Sequence, residues 1–278
     1  MAVYETVYEY YLHQLRNCES YIEQCKVHAE PELVHQLRLS IKKLRAFSKL
    51  ATRLDLPGTE DYRQLIEGVK KLFKLAGQIR DTQVQIYMLA DCKEQTGVSY
   101  TLFHSWLLRR EKTKISQLCK NKYKSTYEVN SGSTGNSMDS KISHPDTARV
   151  FSIATLLLDE MYQSAQKLAT GNIKDEHLHE IRKTAKQMRY ILTILTGIYP
   201  DFQFQRITLE ALKGIENAVG NWHDNLVRIE FINRFLRKIK NQNEVILLKY
   251  NGLTIFGLAS LNEAYENACL EVKTKLLE

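Results

Sequence analysis

The chain has 278 residues, 44% hydrophobic and 26% charged, with 39 Lys and Arg against 32 Asp and Glu for a net charge of +7. That size fits one large or two ordinary domains of a soluble globular protein, and the basic excess points to an anionic partner. Five cysteines (Cys18, Cys25, Cys92, Cys119, Cys269) without CxxC spacing argue against a disulfide framework or zinc site and fit a reducing cytosol.

The opening segment, MAVYETVYEYYLHQ, lacks a basic region and an apolar core, so it does not read as a signal peptide. Helical periodicity then dominates, with no sustained strand alternation and only 4 prolines and 12 glycines to interrupt it. The pattern predicts an all-α protein with helices over 3–27, 31–54, 59–95 and 99–121. A second set is predicted over 147–169, 174–197, 202–239 and 244–275. Pro31 stands where it is best tolerated, in a first helical turn, and Asp175 is a first-turn acid or N-cap. The apolar runs, such as Ile153 to Leu158, fall short of the roughly 20 residues that span a bilayer, so no membrane partner is expected.

The second helix carries His35, Arg38, Lys42 and Arg45. At about 100° per residue these fall at roughly 0°, 300°, 340° and 280°, a single stripe of groups that are cationic or can become so. Lys49 and Arg53 extend it to some five turns, about 27 Å. Leu37, Ile41 and Leu44 form the adjoining apolar face, so the stripe borders the core and lines a groove that welcomes an anion. The third helix brings Lys70 and Lys74 on the face of Asp81, two lysines that would extend such a groove. Gly77 reads as room for close helix approach, as does its counterpart Gly220. Arg109, Arg110, Lys112 and Lys114 on the fourth helix form a secondary basic patch. Residues 121–147 are rich in Ser, Thr, Asn and Gly and read as a polar, disordered linker.

Beyond the linker the pattern returns. His179, Arg182, Lys186 and Arg189 repeat the four stripe residues at an offset of 144, with every spacing kept. The segment from Glu67 is matched by the one from Glu210 at an offset of 143, pairing Lys70 with Lys213, Gly77 with Gly220 and Asp81 with Asp224. An internal duplication explains both matches. It predicts a first four-helix half over 1–120 and a second over 148–278, two pseudo-symmetric bundles with a basic groove or pore between them. Arginine's forked donors and lysine's point charge suit phosphoryl oxygens, and a histidine beside them would donate to the ligand, its protonated form stabilised by the bound anion. Asp81 and Asp224 read as orienting partners of the cations, alongside Arg80 and its replacement His223. Lys238, outside the pattern, serves as a surface control.

HxxRxxxKxxR followed about 42 residues later by GxxRDxxV, all of it duplicated, resembles the CHAD domain, the conserved-histidine α-helical domain. The resemblance implies two four-helix bundles around a basic groove or pore and binding of inorganic polyphosphate, in the cytoplasm and often at polyphosphate granules. Carried over by position, the implied ligand residues are His35, Arg38, Lys42 and Arg45 with His179, Arg182, Lys186 and Arg189. Lys43 is replaced by Gln187 and Arg80 by His223, which weakens the second half's grip. No enzyme activity, cofactor or metal is expected. Two rivals stand beside this reading. A nucleic-acid binder would also need a basic groove, but the stripe is not interleaved with aromatics. A metal-dependent phosphohydrolase of the HD type would use His223-Asp224, whose counterpart Arg80-Asp81 cannot ligate a metal.

Overall fold

In a computed structural model that describes residues 7–56, 64, 66–120, 146–240 and 244–277, the chain is all-α. The described residues include eight helices, in order α1 (Val7–Val27), α2 (Pro31–Leu54), α3 (Lys70–Thr96), α4 (Thr101–Cys119), α5 (Thr147–Ala169), α6 (Asp175–Ile198), α7 (Leu209–Ile239) and α8 (Glu244–Leu277). No strand occurs among the described residues. The expected start of the third helix lies partly, and the 121–147 linker almost wholly, outside the described residues.

Local chemistry sets the ends of α2. Pro31 occupies the first turn, where its missing N–H costs nothing, after an extended Glu30. Asp55 closes the helix in the left-handed region (φ 53°, ψ 44°), and Leu56 N donates to the Ala51 carbonyl at 3.0 Å. α6 opens on Asp175 and Glu176, two acids at the positive end of the helix dipole. It ends at Ile198, because Pro200 cannot continue it.

The predicted seventh helix begins later than expected, at Leu209 instead of 202. Phe202 N closes a turn on the Tyr199 carbonyl (3.0 Å), and the buried Phe202 ring packs edge-on against Phe151 at 5.1 Å. With Ile207 also buried, these anchors hold residues 202–208 in irregular backbone. The apolar side chains that mimic helical spacing there are used to pin a connection.

The helices group into two compact units. Unit 1 comprises 1–77, 117–163 and 187–209; unit 2 comprises 78–116, 164–186 and 210–278. Each unit thus draws segments from both halves of the duplicated sequence. In unit 1, α2 buries Val34, Leu37, Ile41, Leu44, Phe47 and Leu50, and Tyr11 of α1 stacks on Phe47 at 5.0 Å. Unit 2 has an aromatic core in which Tyr100, Phe103, Phe231, Phe235 and Tyr250 meet. There the Tyr250 hydroxyl accepts from Leu102 N (3.1 Å) and Phe103 N (3.3 Å), satisfying two amides of the first turn of α4 from across the core.

Val245–Leu277, a 33-residue segment with an 18-residue stretch of mean hydropathy 1.2, is long and apolar enough to cross a membrane by length and composition alone. It qualifies because charges are sparse along it, although no uninterrupted apolar run approaches that length. One face of the helix is core: Tyr250, Leu253, Ala264, Ala268, Val272 and Leu276 are buried. All five cysteine thiols are free, and burial pushes those of Cys18 and Cys25 up to about 11.

Candidate anion-binding site

In unit 1 the stripe of α2 is organised by an aromatic ring from α3. The Arg45 guanidinium lies over Phe73 at 4.2 Å and that of Arg38 at 4.8 Å. Arg38 Nη1 also donates to the Phe73 carbonyl at 3.4 Å. A π face attracts a cation, so the ring holds both guanidinia in place. Gly77 belongs to this arrangement: a Cβ there would collide with Arg38 Nη1. What the glycine admits is a guanidinium, not a second helix backbone. Its counterpart Gly220 meets nothing within 4 Å, so close approach is not its role either.

The cations of this stripe are short of solvation. Burial holds Lys43, Arg45 and Lys49 below their ordinary pKa values. Arg189 pushes Lys43 further down and Arg53 does the same to Lys49, while Glu67 supports the charge on Arg45 and Glu160 that on Lys49. Arg189 thus shares unit 1 with the α2 stripe, as does Gln187, which accepts from Lys49 Nζ at 3.1 Å. That contact gives the Lys43-to-Gln187 departure a physical sense, since a lysine at 187 would set two ammonium groups against each other. Arg53 at the stripe's far end pairs with Glu160, and exposed Lys70 pairs with Glu67 at 3.1 Å. His35, Lys49 and Lys74 are exposed, and Lys42 is half-buried.

Unit 2 holds the rest of the second stripe in a different environment. Arg182 is half-buried, and burial pulls its pKa down while Asp224, Glu216 and Asp81 act in the opposite sense. Both aspartates thus act on a motif cation. His179 and His223 lie with ring centroids 5.7 Å apart. Burial, then Arg182, His179 and Lys186, lower His223 to about 4. Burial, then Lys183 and Arg182, also lower His179, with Glu180 opposing. His223 Nδ1 and Arg182 Nε are buried without a hydrogen bond. Lys213 and Arg80 lie on α7 and α3, the first exposed and the second half-buried.

The contrast between the two settings rests on one pair of residues. Phe73 and Glu216 occupy equivalent places in the repeated segment, 143 positions apart. Where the first half offers a ring to its arginines, the second offers a carboxylate. The aligned repeats contain this signal, but the side-chain directions that give it meaning are visible only in the fold. Lys238 is likewise misplaced as a remote surface position: its Nζ stands 5.9 Å from the Trp106 ring centroid in a basic groove.

The histidines predict a pH response. His223 stays neutral in the folded state down to about 4, whereas in the unfolded chain it takes up a proton below about 6.5. The unfolded state therefore binds more protons between those values, and stability is expected to fall as pH drops from 6.5 to 4. Thermal unfolding across that range should show the loss, and His223→Asn should reduce the slope. An unchanged melting temperature in the parent protein would refute the assignment.

A family model described as CHAD domain matches residues 9–233. A crystal structure of the CHAD domain from the plant Ricinus communis superposes with a TM-score of 0.69, at 16% identity, covering 100% of this chain and 93% of that one. No curated protein sequence matches.

Proposed function

The chain belongs to the CHAD domain family, and on that premise we propose that it binds inorganic polyphosphate, without catalysis, through its duplicated His/Arg/Lys stripes. The observation that carries this reading is the Phe73 ring, which gathers two motif arginines, Arg38 and Arg45, against one face of α3. The lowered pKa values of half-buried Lys43 and Arg45 support it, because cations poorly solvated by water gain most from a bound anion. Polyphosphate offers a continuous line of oxygens to a stripe of this kind and would raise the pKa of His179 and His223. Acidification that destabilises the empty protein should therefore be offset by the ligand. The cytoplasm, at polyphosphate granules, is the setting this reading implies.

Non-catalytic binding fits the rest of the chemistry. Among the described residues no group of three or more His, Cys, Asp and Glu side chains is placed to hold a metal ion. The test is calorimetric titration with long-chain polyphosphate at two salt concentrations, beside an assay of phosphate release. Saturable binding that weakens with salt, without release above background, is expected. Release abolished both by chelator and by His223→Ala would replace this reading with a metal-dependent hydrolase.

A further inference from the structure

Unit 2 contains a basic groove built from residues that the repeated motif does not include. It lies between α4 and α7, has a volume of about 980 Å³, and is lined by Arg109, Arg110, Lys114, Arg234, Arg237 and Lys238. No carboxylate is among its described lining residues. Acids acting on it include Glu230, paired with Arg234 at 3.0 Å, and Asp81, which supports the charge on Arg110.

The groove is also aromatic, and it offers an indole where the α2 stripe has a phenyl ring. Trp106 and Phe235 line it, and Trp106 is half-buried and stacked on Phe103 at 5.7 Å with 15° between the rings. The Arg110 guanidinium lies over Phe231 at 4.9 Å and near Trp106 at 6.0 Å, and its Nε is buried without a hydrogen bond. Lys238 Nζ approaches the same indole at 5.9 Å. Cations in such numbers ask for several phosphates, and inorganic polyphosphate has no use for an indole. A base does, since stacking on an aromatic side chain adds affinity for any nucleobase.

We propose that this α4–α7 groove is a second anion site that takes a nucleotide, its phosphates on the arginines and lysines and its base on Trp106. The same chemistry is offered by a free nucleoside triphosphate and by a unit of a single strand. Trp106 is the natural reporter, because the other tryptophan, Trp222, is 2% exposed in the core.

The experiment titrates the full chain at fixed ionic strength with a nucleoside triphosphate, inorganic tripolyphosphate and a single-stranded oligonucleotide of about ten nucleotides, reading tryptophan quenching. The nucleoside triphosphate should bind about fivefold or more tightly than tripolyphosphate, the margin a stacked base supplies. Arg109→Glu and Arg237→Glu, both at exposed positions, should weaken it tenfold or more, while Arg38→Ala leaves the quenching unchanged. An oligonucleotide that outcompetes the mononucleotide identifies a strand as the source; the reverse identifies the free nucleotide. Equal affinity for tripolyphosphate and nucleotide would overturn the proposal. So would indifference to Arg109→Glu and Arg237→Glu combined with sensitivity to Arg38→Ala, which would assign the binding to the α2 stripe.

Discussion

Arg38→Ala and Arg182→Ala should both weaken polyphosphate binding, yet only Arg182→Ala should markedly destabilise the protein. Each removes a charge-assisted contact to phosphate, a loss of roughly tenfold in affinity. Arg182, however, is half-buried among Asp224, Glu216 and Asp81. Its removal takes one half-buried cation away from these carboxylates, at a cost of about 2–3 kcal/mol. Arg38 gives up a cation–π contact and one long hydrogen bond, worth about 1 kcal/mol. Denaturant unfolding and polyphosphate titration on the two variants separate the effects. Equal destabilisation would mean that the two stripes sit in equivalent surroundings, contrary to the contacts described above.

The difference between these arginines marks the limit of what the sequence discloses. The helices are legible because Leu37, Ile41 and Leu44 recur at helical spacing and because Pro31, Asp175 and Pro200 punctuate the chain where helices begin or end. The repeated His, Arg, Lys and Arg are legible because duplication makes a surface pattern visible twice. Their surroundings are not, because a side chain's partner lies on another helix with no fixed sequence separation. Arg38 reaches Phe73 and Arg182 stands near Asp81, and neither pairing follows from periodicity. Gly77 shows the same limit. Its presence in a helix announces close packing, and only the fold shows that Arg38 is what packs there. Residues 202–208 err in the other direction: Phe202 and Ile207 fit a helical pattern and are instead buried from an irregular turn.

The repeats have also diverged in a compensated way. Gln187 replaces a lysine and accepts from Lys49, so an apparent loss of charge in the second stripe removes a repulsion in unit 1. Glu216 replaces a phenylalanine and lies in the field of Arg182. Both changes lower the positive charge of the second motif, and both act where burial already disfavours cations. The repeated stripe therefore keeps its residues in both copies, while the surroundings of Arg182 favour stability and those of Arg38 and Arg45, on the function proposed, favour the ligand.

That division of labour predicts the outcome of exchanging the two positions. Phe73→Glu would place a carboxylate beneath Arg38 and Arg45. That added carboxylate would compete with phosphate for both guanidinia, and polyphosphate affinity should fall tenfold or more. Glu216→Phe should act oppositely, withdrawing one of three carboxylates from Arg182 and raising affinity several-fold, at some cost in stability from the partly unpaired charge. Phe73→Leu separates the contributions, because it keeps the bulk and loses the π face. It should cost only about as much as two exposed cation–π contacts, near 1–2 kcal/mol in arginine positioning. Titrations of the three variants at one ionic strength, with unfolding curves to exclude misfolding, decide the matter. If Phe73→Glu binds as the parent does, the α2 arginines are not the ligand's contacts, and the Phe73 platform is a packing feature of unit 1.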